Sequence, residues 1–194
     1  MPAPTQTQPL SLEEFLKLPE QKPAYEYING KPHQKPMPRG KHSLLQTRLS
    51  ALINRVAEPQ QAAFALTELR CSFGGRSLVP DIAVFAWENI PLDETGDIAD
   101  RFSIPPDWTI EILSPQQPQT RVIDNILFCL NSGTELGWLI DPDETTILVF
   151  RAGEQPQLQR NDDKLPGLSH VKGWEISVNQ VFDLLKFRLP SQGN

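Results

Sequence analysis

The stretch Val79-Pro80-Asp81-Ile82-Ala83-Val84-Phe85, with Trp108-Thr109-Ile110-Glu111-Ile112-Leu113 further along, sets one carboxylate inside each of two short apolar runs. Runs of this length, bounded by proline and polar residues, read as buried strands. An ionised acid among Val, Ile and Phe is costly to bury alone, so each needs compensation. Two readings stand. Each acid emerges into solvent or pairs with an arginine such as Arg70 or Arg76. Alternatively, adjacent strands bring both to one edge, where two carboxylates, a backbone carbonyl and water make the hard oxygen set that magnesium prefers. Glu26 could complete such a cluster.

Upstream, Ser11-Leu12-Glu13-Glu14 reads as a capping box opening a short helix through Leu18, a lid or clamp candidate. Asn29-Gly30 lies between two alternating runs and predicts a hairpin, with Tyr25 and Tyr27 on one face and Glu26 on the other. Leu44, Leu45, Leu49, Leu52, Ile53 and Val56 recur at helical spacing, which predicts an amphipathic helix over 41–56 packed on a sheet. A strand over 64–73 is then joined through Gly74-Gly75-Arg76 to the Asp81 strand over 78–87. Residues 88–106 form a polar excursion. Ser114-Pro115 ends the Glu111 strand. A helix over 120–130, strands over 136–140 and 146–150, and a closing helix capped by Ser177 complete the pattern. The four tryptophans read as core. The fold class is α/β of the α+β kind, a mixed β-sheet flanked by helices. One domain is expected over 10–186, with a disordered tail at 1–9 and a C-terminal tail at 187–194.

The composition agrees with one core: 194 residues are 39% hydrophobic. Eighteen basic against 24 acidic residues give a net charge of −6 without a long single-sign block. That disfavours a basic nucleic-acid-coating protein, although Lys31, Lys35, Arg39 and Lys41 form a basic run that could face a nucleic-acid backbone. Cys71 and Cys129 lie in apolar runs, as buried free thiols do in a reducing compartment. The start of the chain has neither a basic nor an apolar leader segment, and no stretch approaches a membrane span. A cytoplasmic, soluble protein with no membrane partner is expected.

Taken in order, Tyr25-Glu26-Tyr27-Ile28-Asn29-Gly30, Lys41-His42-Ser43, Val79–Val84, Ile110-Glu111-Ile112-Leu113-Ser114-Pro115 and Gly137-Trp138-Leu139-Ile140-Asp141-Pro142 resemble the motifs of the Uma-type endonucleases. These are a domain family of unknown function within the PD-(D/E)XK superfamily. The resemblance covers about residues 10–186. It implies a restriction-endonuclease-like core and a magnesium-dependent endonuclease, manganese being a possible substitute, that hydrolyses DNA as a homodimer reaching both strands. It also implies that Asp81 and Glu111 hold the ion, that the Ile112 carbonyl adds a ligand, and that Glu26 joins directly or through water.

The sequence departs from the pattern at the superfamily's lysine. Two residues after the glutamate stands Leu113, and the alternative place on the next helix is Asn125. Arg121, one turn earlier on the same helical face, could lend charge, although an arginine is too basic to take a proton from water. His42, Lys41 and Arg121 are candidates for contact with substrate phosphate. Glu68, alternating with Leu66 and Arg70, is either an acid supporting the ion ligands or half of a surface pair. The competing reading is a degenerate nuclease fold that binds nucleic acid or a protein partner without cutting. On the clustered-acid view, Asp81→Asn should leave metal-free folding nearly intact, since it removes one of several like charges.

Overall fold

Ser11 caps a single helical turn, α1 (Leu12–Phe15), in the computed structural model, which describes residues 10–115 and 117–187. The reciprocal bonds of the capping box are present, but the helix stops three residues short of Leu18. Strands β1 (Tyr25–Ile28) and β2 (Lys31–Gln34) form the expected hairpin. Its turn puts Asn29 and Gly30 at φ of 51° and 80°, a pair of positive angles that Asn-Gly accommodates at low steric cost. Helix α2 (Gly40–Ala57) follows and buries Leu45, Leu49 and Ile53.

The strand expected over 64–73 is two strands in two sheets. β3 (Ala63–Thr67) ends where Glu68 takes the left-handed region at φ 53°, and the chain leaves the first sheet there. β4 (Cys71–Phe73) and β5 (Arg76–Leu78) then pair with each other, and β5 pairs with β1, giving a small sheet ordered β2-β1-β5-β4. The strand expected over 78–87 breaks in the same way at Pro80-Asp81. β6 (Ile82–Ala86) returns to the first sheet, followed by β7 (Trp108–Ile112), helix α3 (Gln119–Asn131), β8 (Leu136–Asp141), β9 (Thr146–Arg151) and β10 (Gln157–Gln159). The large sheet is ordered β10-β9-β8-β7-β6-β3. Among its described pairings only β7–β8 is parallel, and α3 supplies the crossover that a parallel pair needs. A two-stranded pair, β11 (Lys164–Leu165) with β12 (Ile176–Ser177), leads into α4 (Val178–Asp183), which Ser177 caps.

Helices α2 and α4 cover one face of the large sheet, and α3 covers the other with Val122 and Ile126 against Leu139 and Phe150. The mixed, helix-flanked sheet is the fold class the sequence predicts. Gly137 of β8 is where α3 comes closest: a Cβ there would lie 2.5 Å from Ile126 Cγ2. Gly137→Ala must therefore push α3 outward. We expect a loss of about 1–3 kcal/mol, measured as a shift of the urea midpoint at constant slope.

Three tryptophans are central. Trp108 and Trp138 are buried with ring centroids 4.7 Å apart, and Trp174 packs on both. Trp87, expected in the core, is exposed instead, because it lies just past the end of β6 in a 3-10 turn. The excursion over 88–106 is not wholly polar, since Phe102 is buried against Phe85. Cys71 and Cys129 are free and buried, and burial pushes the Cys71 thiol up to about 12. The expected tails lie outside the described residues except Phe187, whose ring lies 4.4 Å from the Arg48 guanidinium. No helix among the described residues is long and apolar enough to cross a membrane.

Candidate active site

Strand register assembles the acids. Thr67 pairs with Ile82 and Ile82 with Ile110, so continuing both antiparallel registers by one residue aligns Glu68, Asp81 and Glu111 in one row across β3, β6 and β7. The Glu68 amide accordingly donates to the Asp81 carbonyl at 3.3 Å. Glu111 lies within its strand, whereas Asp81 is in the break just before β6. Neither acid pairs with Arg70 or Arg76, which bind Glu20 and Asp124.

Asp81 is 2% exposed and fully engaged. Its Oδ2 accepts the Ile112 amide at 2.7 Å, while Oδ1 lies 2.7 Å from Lys35 Nζ and 3.3 Å from His42 Nε2. Ile112 thus contributes its amide, a role the expected carbonyl ligand did not include. Lys35 Nζ also donates to the Val79 carbonyl at 2.6 Å and lies 3.6 Å from Glu111 Oε2, so one ammonium joins both acids. His42 is buried at the start of α2, with its second ring nitrogen 3.2 Å from Ser114 Oγ. Gln46, one helical turn on, donates to Glu68 Oε1 at 2.9 Å and to the Asp81 carbonyl at 2.7 Å.

Glu26 is buried behind this row. It accepts the Val79 amide at 3.0 Å and the Asn125 side-chain amide at 3.1 Å. Asn125 is therefore buried and committed to Glu26, while Arg121 is exposed and carries no ion pair among the described residues. Although the two share a helical face by spacing, the helix turns Asn125 inward and leaves Arg121 on the rim of a cavity of about 330 Å³ shared with Glu26 and Lys35. Lys41 is exposed on the first turn of α2 and stands outside the cluster. Glu68 is no strand residue. It sits beyond β3, partnered by Gln46, and its carboxylate, His42 and Asp81 each offer a ligand atom within 4.8 Å of the others. Lys35 and Gln46 were not singled out for this site by sequence; Lys35 appeared only as part of a basic run.

Electrostatics divide the acids. Burial works to raise Asp81, but Lys35 and His42 outweigh it and hold the carboxyl below its ordinary range. Glu111 goes the other way: burial, with repulsion from Asp81, Glu26 and Glu68, overrides Lys35 and pushes it well up. Burial opposes the Lys35 charge, yet the surrounding acids hold its ammonium well above the usual lysine value. A raised carboxyl means that the folded state binds more protons than the unfolded one, so its contribution is full below the ordinary glutamate range and is lost as pH rises through the folded value. We expect metal-free stability to fall as pH rises from the ordinary glutamate range upward, and Glu111→Gln to flatten the fall. Denaturant titrations across that range check this.

The donor set fits a hard divalent cation. Carboxylates crowd a site in which Lys35 neutralises only part of their charge, and the buried Asn125 Oδ1 has no hydrogen-bond donor among the described residues.

The sequence profile of the Uma2 family, described as "Putative restriction endonuclease", matches residues 12–179. A crystal structure of "a putative nuclease belonging to DUF820" from Anabaena variabilis ATCC 29413 aligns with a TM-score of 0.90 at 52% identity, covering 92% of this chain and 100% of that one. Among curated proteins nothing matches. With the profile spanning most of its length and its mixed sheet of the restriction-endonuclease-like kind, this chain belongs to the Uma2 family.

Proposed function

We propose that the protein is a divalent-metal-dependent endonuclease that hydrolyses DNA phosphodiester bonds. The row of Glu68, Asp81 and Glu111, with Glu26 behind it and the Lys35 ammonium among them, carries this reading. Asp81 and Glu111 would hold the ion, magnesium by donor type and manganese as a substitute. When bound, the ion polarises the phosphate and lowers the pKa of a water. The chain's own residues set the geometry beforehand: the Ile112 amide and Lys35 fix the Asp81 carboxylate, and Gln46 ties Asp81 to Glu68. His42, locked between Asp81 and Ser114, orients groups at the same cluster. Exposed Arg121 and Lys41 offer positive charge to the DNA backbone. Two copies acting as a homodimer would reach both strands, and the buried thiols suit the cytoplasm.

Nicking of supercoiled plasmid tests the proposal. Nicked product is expected with Mg²⁺ or Mn²⁺ and none with EDTA. Asparagine at 125 favours the second reading, a domain that binds nucleic acid without cutting. Retarded but intact DNA with both ions would select it.

A further inference from the structure

The surroundings of the Lys35 ammonium are those of a cation site. Asp81 Oδ1 lies at 2.7 Å, the Val79 carbonyl at 2.6 Å and Glu111 Oε2 at 3.6 Å. Two carboxylates and a carbonyl are the hard oxygens a magnesium or manganese ion selects. An ammonium and a divalent ion cannot hold the same oxygens, since like charges at contact repel strongly away from bulk water.

We propose, building on the metal-dependent reading above, that Lys35 is a displaceable stand-in cation: the divalent ion takes its place between Asp81, Glu111 and the Val79 carbonyl, and the released ammonium turns to the phosphate.

Three observations support it. First, the Val79 carbonyl is a prepared ligand. Val79 is pinned on its other side by Glu26, which accepts the Val79 amide at 3.0 Å, so Glu26 steadies the residue from which that carbonyl projects. Second, Lys35 is free to leave. It follows the last residue of β2, its amide is anchored on the Ala24 carbonyl, and residues 36–39 after it are exposed and outside any helix or strand. Rotation of the side chain alone can withdraw the ammonium while the main chain stays bonded. Third, there is space for it. Lys35 and Pro36 separate a cavity of about 490 Å³ beside His42 and Asp81 from the one of about 330 Å³ beside Glu26 and Arg121, and line both. In the second cavity the ammonium and the Arg121 guanidinium would converge on one anion, an arrangement that repels itself until a phosphate is present.

Lysine acetylation read by mass spectrometry on the full chain tests this without relying on cleavage. Lys35 should be protected in EDTA and lose that protection with saturating Mn²⁺, while the exposed Lys17 and Lys41 label equally in both. Mn²⁺ titration followed by electron paramagnetic resonance provides the second arm: Lys35→Met, which removes the competitor, should bind Mn²⁺ about tenfold more tightly. Mn²⁺ bound with Lys35 still protected, or Lys35→Met binding more weakly, overturns the displacement and leaves the nuclease reading standing. No Mn²⁺ binding by either protein overturns both. The labelling arm uses the natural chain, so it decides the matter even if the variant folds poorly.

Discussion

Lys35→Met is expected to lower the stability of the metal-free protein by about 3 kcal/mol at neutral pH, because it strips the buried acids of a shared counter-ion while leaving them in place. Asp81, held ionised by Lys35 at 2.7 Å, is the acid most affected. His42 at 3.3 Å and the Ile112 amide soften the loss without replacing the charge. Two controls separate this from a simple packing defect. Divalent metal should restore most of the stability, since a ligand that binds only the folded state adds to it by mass action. Acidification should narrow the gap between variant and wild type, as the acids left without a partner become protonated. Urea midpoints with and without Mn²⁺, at several pH values, read both effects. A gap that ignores metal and pH alike would mean that the lysine stem, not its charge, matters.

Asp81→Asn is expected to abolish plasmid nicking, with a rate loss of at least about a thousandfold, and to weaken Mn²⁺ binding. The structure also reverses the expectation that this change leaves metal-free folding nearly intact. Asp81 is more than one of several like charges: Lys35 makes it the anion of a buried ion pair, with His42 beside it. Removing it should cost about 2–3 kcal/mol at neutral pH. Because the folded-state carboxyl is depressed, this contribution is full above the ordinary aspartate range and is lost as pH falls through the folded value. Wild type and variant should therefore converge in acid. Glu111→Gln, a second loss-of-cleavage variant, should show the opposite pH dependence: its carboxyl is pushed up by burial, so its amide costs little stability near neutrality.

Much of this site is written locally. Helical spacing exposes α2 and α3, the Ser11 and Ser177 caps mark helix starts, Asn29-Gly30 marks the hairpin, and a carboxylate in an apolar run marks Asp81 and Glu111. What stayed hidden is pairing between distant residues. Lys35 meets an acid 46 residues away, and a lysine in a basic run after a hairpin carries no local trace of burial. The alternation through Leu66, Glu68 and Arg70 reads as one strand, because nothing in an acidic residue announces a positive φ. Positions 121 and 125 share a helical face by spacing alone. Which of them is buried follows from the face of α3 that packs Val122 and Ile126 on the sheet, and that face includes Asn125. β10, β11 and β12 are two or three residues long and partly polar, too short for any periodicity to show.

The tryptophan triad makes the protein its own optical reporter. Trp108 stands on the strand that bears Glu111, its ring 4.7 Å from Trp138 and 5.4 Å from Trp174. Indoles this close couple their electronic transitions and exchange excitation, which shapes near-ultraviolet circular dichroism and emission anisotropy. Trp174 belongs to the segment between β11 and β12, whereas Trp108 and Trp138 are neighbours within the large sheet. Undocking of the C-terminal segment would break two of the three couplings and leave the third, and only loss of the sheet would remove all of them. Exposed Trp87, away from the triad at the end of β6, would continue to emit as a solvated indole throughout.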